Sequence, residues 1–149
     1  MARQKGNNKQ AGKKRGRGGS GQNRAESEKF FTKNRQKPGV IETPSGLQYI
    51  VEQEGDGAKP GPDSMIVVNQ RIMLVDGTVI KDTYHTGLKD EFSMSEAIAG
   101  LKEGIQLMSV GAKYKFFVPS ELAWGKRGAG DKIGPNAALI FDIRLEDCW

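Results

Sequence analysis

From residue 40 onward, short apolar runs alternate with turns. Leu47 to Val51 follows the turn Thr43-Pro44-Ser45-Gly46 and predicts a strand. Met65 to Val75 is a long β-branched stretch that ends at Asp76-Gly77, a pair suited to a hairpin with positive φ; Thr78-Val79-Ile80 is the return. Over residues 93–110 the period changes. Ile98, Leu101, Ile105 and Met108 fall at steps of three, four and three, which is one face of a helix. Ser93 with Glu96 forms a capping-box pattern at its start, and Gly111 follows its end. Gly100 and Gly104 each cost that helix about 1 kcal/mol relative to Ala, unless close packing requires them. Lys113 to Val118 alternates again and stops at Pro119. Residues 120–136 read as a glycine-rich loop. Ala138 to Leu145 is the final strand, with Leu139, Phe141, Ile143 and Leu145 on one face. Strands around one helix, without strand–helix–strand alternation, predict an α+β fold: an antiparallel sheet wrapped around one central helix.

The first 37 residues lack this pattern, and here charge changes the picture. The net charge of +5 is a sum of opposites: residues 1–37 carry 12 basic and two acidic side chains, and residues 38–149 carry 11 and 16. Residues 1–24 hold eight cations, six glycines and no acid, with no apolar periodicity. Such a stretch cannot bury enough surface to offset the entropy of ordering it, so 1–24 is predicted to be a disordered basic arm. Lys13, Lys14, Arg15 and Arg17 sit on flexible glycine links, a polycation able to follow phosphates. Two readings stay open: an arm that meets RNA, the ribosome or another polyanion, and a solubilising tail. Residues 25–37 read as a short helix or a linker. Ser27 could cap a helix there, and Phe30 and Phe31 could anchor it before Pro38-Gly39 stops it.

Cysteine and histidine counts remove several chemistries. Cys148 is alone, which excludes an intramolecular disulfide framework and a cysteine-rich zinc module. His85 is the single histidine, with no partner cluster for a metal. No apolar run approaches the ~18–20 residues that span a membrane, and no apolar core of a signal peptide follows the charged start. The expectation is a cytoplasmic protein with no membrane partner.

Several blocks follow one another in a telling order: Asp76-Gly77-Thr78-Val79; Gly100-Leu101-Lys102-Glu103-Gly104-Ile105 with Met108, Gly111 and Lys113; Val118-Pro119-Ser120 with Leu122-Ala123-Trp124-Gly125; and Ile133-Gly134-Pro135-Asn136-Ala137 with Leu139-Ile140-Phe141. In this order they resemble the FKBP family of peptidyl-prolyl cis–trans isomerases. Pro44 to Tyr49 resembles the approach segment of its bacterial Mip-like branch. The resemblance covers about residues 39–147, so 38–149 is expected to be an FKBP-like domain.

The resemblance implies an apolar pocket between sheet and helix, with proline-containing polypeptides as partners and protein folding as the setting. It implies a chemistry that needs no cofactor. An X-Pro bond turns over a barrier of about 18–20 kcal/mol, and the catalyst holds the ring in a dry pocket and favours the twisted amide. No proton transfer is required, which accommodates a chain with one histidine. Position by position, Phe92, Ala97, Ile98, Ile133 and Phe141 fall on pocket positions. Gln70 stands where the family has a Tyr, Ile80-Lys81 where it has Phe-Asp, Leu101 where a Trp often forms the floor, and Trp124 where it has a Tyr. These exchanges predict altered or weaker turnover, with a proline or apolar-peptide binding module as the alternative. Mip-like dimers rest on a long N-terminal helical region, and since only 25–37 could be its remnant, a monomer is expected.

Overall fold

A computed structural model of the chain describes residues 19–149. Lys13, Lys14, Arg15 and Arg17, named above for polyanion binding, lie outside the described residues.

Seven strands form one antiparallel sheet. They are β1 (Ile41–Glu42), β2 (Gln48–Gln53), β3 (Met65–Leu74), β4 (Val79–Asp82), β5 (Asp90–Ser93), β6 (Lys113–Val118) and β7 (Leu139–Cys148). The order is β1-β2-β6-β7-β3-β4, with β5 also paired to β3. β3 alternates strictly, so Ile66, Val68, Gln70, Ile72 and Leu74 all face inward. Asp76-Gly77 makes the expected turn, with Gly77 at φ +94° and the Thr78 amide donating to Asp76 Oδ1 at 2.9 Å.

The central helix is shorter than the periodicity predicts. Ser93 caps a 3₁₀ turn, Met94–Glu96, through a bond to the Ser95 amide, instead of starting the helix. Ala97 and Ile98 are then extended, and α3 runs Ala99–Ile105 with Ile98 as its N-cap. Its last turn tightens, with Leu107 bonded back to Gly104 and Met108 to Ile105. Leu101, Ile105 and Met108 are buried in the main core with Leu47, Ile66, Val68, Phe116, Phe141 and Leu145. A small helix, α2 (Thr83–Thr86), and strand β5 occupy a stretch where the sequence predicted neither.

The glycines of α3 are explained by contact. A Cβ on Gly104 would sit 2.5 Å from the Phe116 ring, and one on Gly100 2.6 Å from Val118 Cγ1. They let α3 lie directly on β6. Gly104→Ala is therefore expected to destabilise the protein by about 1–3 kcal/mol, because overpacking outweighs the better helix propensity of Ala. A urea midpoint equal to or above the parent's would refute this.

α1 (Ser20–Asn34) precedes the sheet. It starts seven residues before Ser27, so Ser27 is not its cap, and residues 20–24, predicted to be disordered, are helical. The reason is tertiary. Phe31 and Phe30 cover Phe117, Ala138 and Ile140 on the outer face of the sheet, forming a second apolar cluster. Asn34 is buried and donates to Gln48 Oε1 at 2.8 Å. β7 is consequently buried on both faces over Leu139–Ile143. At the outer face Asp142 sits between Arg71 and Lys113, at 3.8 and 3.9 Å.

Candidate active site

The residues expected at the pocket come from six segments: β3, β4, β5, α3 with its approach, the loop between β6 and β7, and β7. Register places them. Ile66 pairs with Phe92, Val68 with Asp90, Ile72 with both Lys81 and Phe141, and Gln70 with Ile143. Directly opposed residues point to the same side of an antiparallel sheet, so all of these share the inner face. Ile72 faces Lys81 while Met73 faces Val79, which makes Ile80 the extra residue of a bulge. Bulges redirect side chains, and Ile80 packs against the core.

The floor and rim follow. Leu101, Ile133 and Phe141 are buried in the core. Ile80, Phe92, Ala97, Ile98 and Trp124 are partly buried and packed against it. All eight apolar residues expected at the pocket thus belong to, or pack against, one core cluster. Ile98, as N-cap, accepts from the Leu101 and Lys102 amides, while its own N–H makes no backbone bond among the described residues. Trp124 is set by a tight loop: the Gly125 amide bonds to Ser120 O at 2.8 Å, and the Gly128 amide to Trp124 O at 3.2 Å. Ile133 is set by a two-way bridge with Ala129.

The polar wall differs from the expectation. Lys81 reverses the charge at its own position, but the rim keeps a carboxylate, because Asp90 stands opposite. Lys81 Nζ donates to Asp90 Oδ1 at 2.7 Å, and Gln70 Nε2 donates to Asp90 Oδ2 at 2.8 Å. Sequence reasoning missed Asp90. Its signal was an acid directly opposite the inward Val68, which is visible only once β5 is known to exist. Thr83 was missed too. β3 pairs with β5 over Met65–Val68 and with β4 over Arg71–Met73, which leaves Asn69 and Gln70 between them. Thr83 fills the gap: its Oγ1 accepts from the Gln70 amide at 2.8 Å and donates to Asn69 Oδ1 at 2.9 Å. Nearby on α2, desolvation, with Asp142 adding to it, pushes the Tyr84 hydroxyl up to about 12.

α1 reaches the same site. Asn23 Nδ2 donates to Pro135 O at 2.9 Å, and Asn136 Nδ2 donates to Ser20 Oγ at 2.6 Å. Asn136 has φ +60°, a conformation Asn tolerates, and its amide bonds to Gly125 O at 2.8 Å. One buried residue thus joins α1, the Trp124 loop and the segment carrying Ile133.

Such a site offers apolar walls, a shielded amide and one bridged carboxylate, with no nucleophile–base pair. Comparisons with known proteins show the family. The chain is 43% identical over 124 residues to the outer membrane protein MIP of Legionella longbeachae, covering 83% of this chain and 53% of that protein. It is 40% identical to the FKBP-type 22 kDa peptidyl-prolyl cis–trans isomerase of Escherichia coli, covering 81% and 59%. The crystal structure of FkpA from Escherichia coli superposes with a TM-score of 0.83 at 33% identity, over 87% of this chain and 60% of that one. The chain spans about half the length of several of these relatives, 53% for MIP and 46% for FkpA of Aeromonas hydrophila. Residues 1–51 match the domain amino-terminal to FKBP-type isomerases. Residues 57–146, which hold every one of the ten pocket positions, match the FKBP-type peptidyl-prolyl cis–trans isomerase domain, and it is to this family that the chain belongs.

Proposed function

We propose that this chain catalyses cis–trans isomerisation of X-Pro bonds in polypeptides, as a protein-folding catalyst. The observation that carries the reading is the packing of Ile80, Phe92, Ala97, Ile98 and Trp124, all partly buried, against a core that contains Leu101, Ile133 and Phe141. A prolyl ring placed there leaves water. The planar amide has strong resonance and a large dipole, and the twisted amide has less of both, so an apolar enclosure favours the twisted form. The unpaired Ile98 amide supplies a donor for a substrate carbonyl, and Trp124 supplies a wall and an indole N–H.

A second reading has its own observation. Gln70, Asp90 and Lys81 place a hydrogen-bonded polar group in the wall, and this favours a pocket that binds a prolyl segment with little turnover. The experiment that separates the two uses the full chain with Trp149→Phe, so that Trp124 is the only tryptophan. Faster isomerisation of an X-Pro peptide supports the enzyme. Quenching of Trp124 without acceleration supports the binder, and neither effect sinks both readings. Three further parts of the proposal rest on the sequence alone: delivery of the domain to RNA or the ribosome by residues 1–24, a monomeric state, and a cytoplasmic place of action.

A further inference from the structure

Three buried side-chain polar atoms lack a hydrogen-bond partner among the described residues: Arg71 Nε, Asp142 Oδ1 and Gln70 Oε1. The first two lie on the outer face of the sheet within ion pairs, at 3.8 Å from each other's side chains and beside Lys113. Gln70 Oε1 is different. It belongs to an uncharged amide in an inward row of Ile66, Val68, Ile72 and Leu74, on a residue only 6% exposed. Its orientation is fixed by Asp90. A carboxylate accepts only, so the amide must present Nε2 to it, as observed at 2.8 Å, and the oxygen is turned away. Lys81 occupies the other Asp90 oxygen and holds the carboxylate in place. The result is an oriented acceptor, hidden from water and unmatched, on the inward face of β3 beside Asp90. An acceptor in that state is destabilising until a donor reaches it.

We infer that Gln70 is a specificity-determining residue, whose Oε1 accepts a hydrogen bond from a donor-bearing side chain next to the substrate proline, and that Asp90 is the positioning residue that aims it. This rests on the isomerase reading and narrows its substrate class to prolines flanked by residues such as Ser, Thr, Asn or Gln. A hydrocarbon side chain at the same place would leave Oε1 unmatched, and the penalty appears as discrimination.

The test uses two peptide pairs that differ only by Thr against its near-isostere Val, one pair with the exchange before the proline and one with it after. Turnover by the full chain is measured by exchange NMR, and binding by Trp124 fluorescence in the Trp149→Phe background. The parent is expected to favour Thr over Val at one of the two flanks by about threefold to tenfold in kcat/KM, the size of one neutral hydrogen bond. Gln70→Met, close in volume and without the acceptor, is expected to bring that ratio to about one, as is Asp90→Ala, which frees the amide to rotate. A structural defect alone would slow both members of a pair equally. Equal use of Thr and Val at both flanks by the parent overturns the inference even if the variants fail to fold, and so does a ratio that survives Gln70→Met. Turnover without discrimination leaves the isomerase reading standing; absence of both turnover and binding removes the two together.

Discussion

Phe31→Ala is expected to lower stability by about 3–4 kcal/mol, which for a domain of this size is a drop of about 10–15 °C in Tm. Phe31 is the centre of the outer cluster. It is 8% exposed, its ring meets Phe30 edge-on at 5.3 Å, and Phe117, Ala138 and Ile140 close around it. α1 is otherwise polar, and a single isolated helix of 15 residues is marginal in water. Its hold on the sheet therefore depends on this ring and on the buried Asn34–Gln48 bond. Loss of the ring exposes part of β7 and loosens the bonds from Ser20 and Asn23 to Asn136 and Pro135. Hydrogen exchange should accordingly rise at the Asn136 amide as well as in α1. A loss under 1 kcal/mol, with protection at Asn136 unchanged, would show that α1 is not held by this contact.

Trp124→Ala should do the reverse, with a large effect on activity and a small one on stability. The side chain lies on a loop, only partly buried against the core, so little packing is lost in the free protein. Under the proposed function, a bound prolyl ring covers the same side chain. Removing about 2–3 kcal/mol of apolar burial from that contact predicts a fall in kcat/KM of about 30- to 150-fold. Trp124→Phe keeps a ring and should lose less. Retention of kcat/KM within threefold in Trp124→Ala would mean that the substrate does not reach this wall.

Strands with strong alternation were legible from the chain. β3, β6 and most of β7 lie where the pattern puts them, because one face of each meets the core. α3 was legible in phase but not in length: Ile98, Leu101, Ile105 and Met108 all pack in or against one core, yet the chain stays extended through Ala97 and Ile98 after the 3₁₀ turn capped by Ser93. β5 was invisible because Asp90-Glu91-Phe92-Ser93 has no propensity of its own and exists only as an edge on β3. α1 was underestimated because its start is fixed by Asn136, more than a hundred residues away. In the site, the apolar candidates could be named one by one, since each answers to a known block, and all of them lie in or against one core. Asp90 could not, because its meaning depends on Gln70 and Lys81, twenty and nine residues distant, and arises only when two short strands share one neighbour.

The sheet order sets a constraint on birth as well as on shape. β7 lies between β6 and β3, and it leaves the ribosome after both of them. Until it does, β3 with its two small partners and β2 with β6 are two separate ribbons, with no strand pairing between them. Long-range pairing of this kind is slow and waits on the whole chain. A nascent copy stalled before residue 139 would present Ile66, Val68 and Phe116 to its surroundings and depend on other chaperones to stay soluble. A protein proposed to help others fold is thus, during its own synthesis, itself a client until β7 is made.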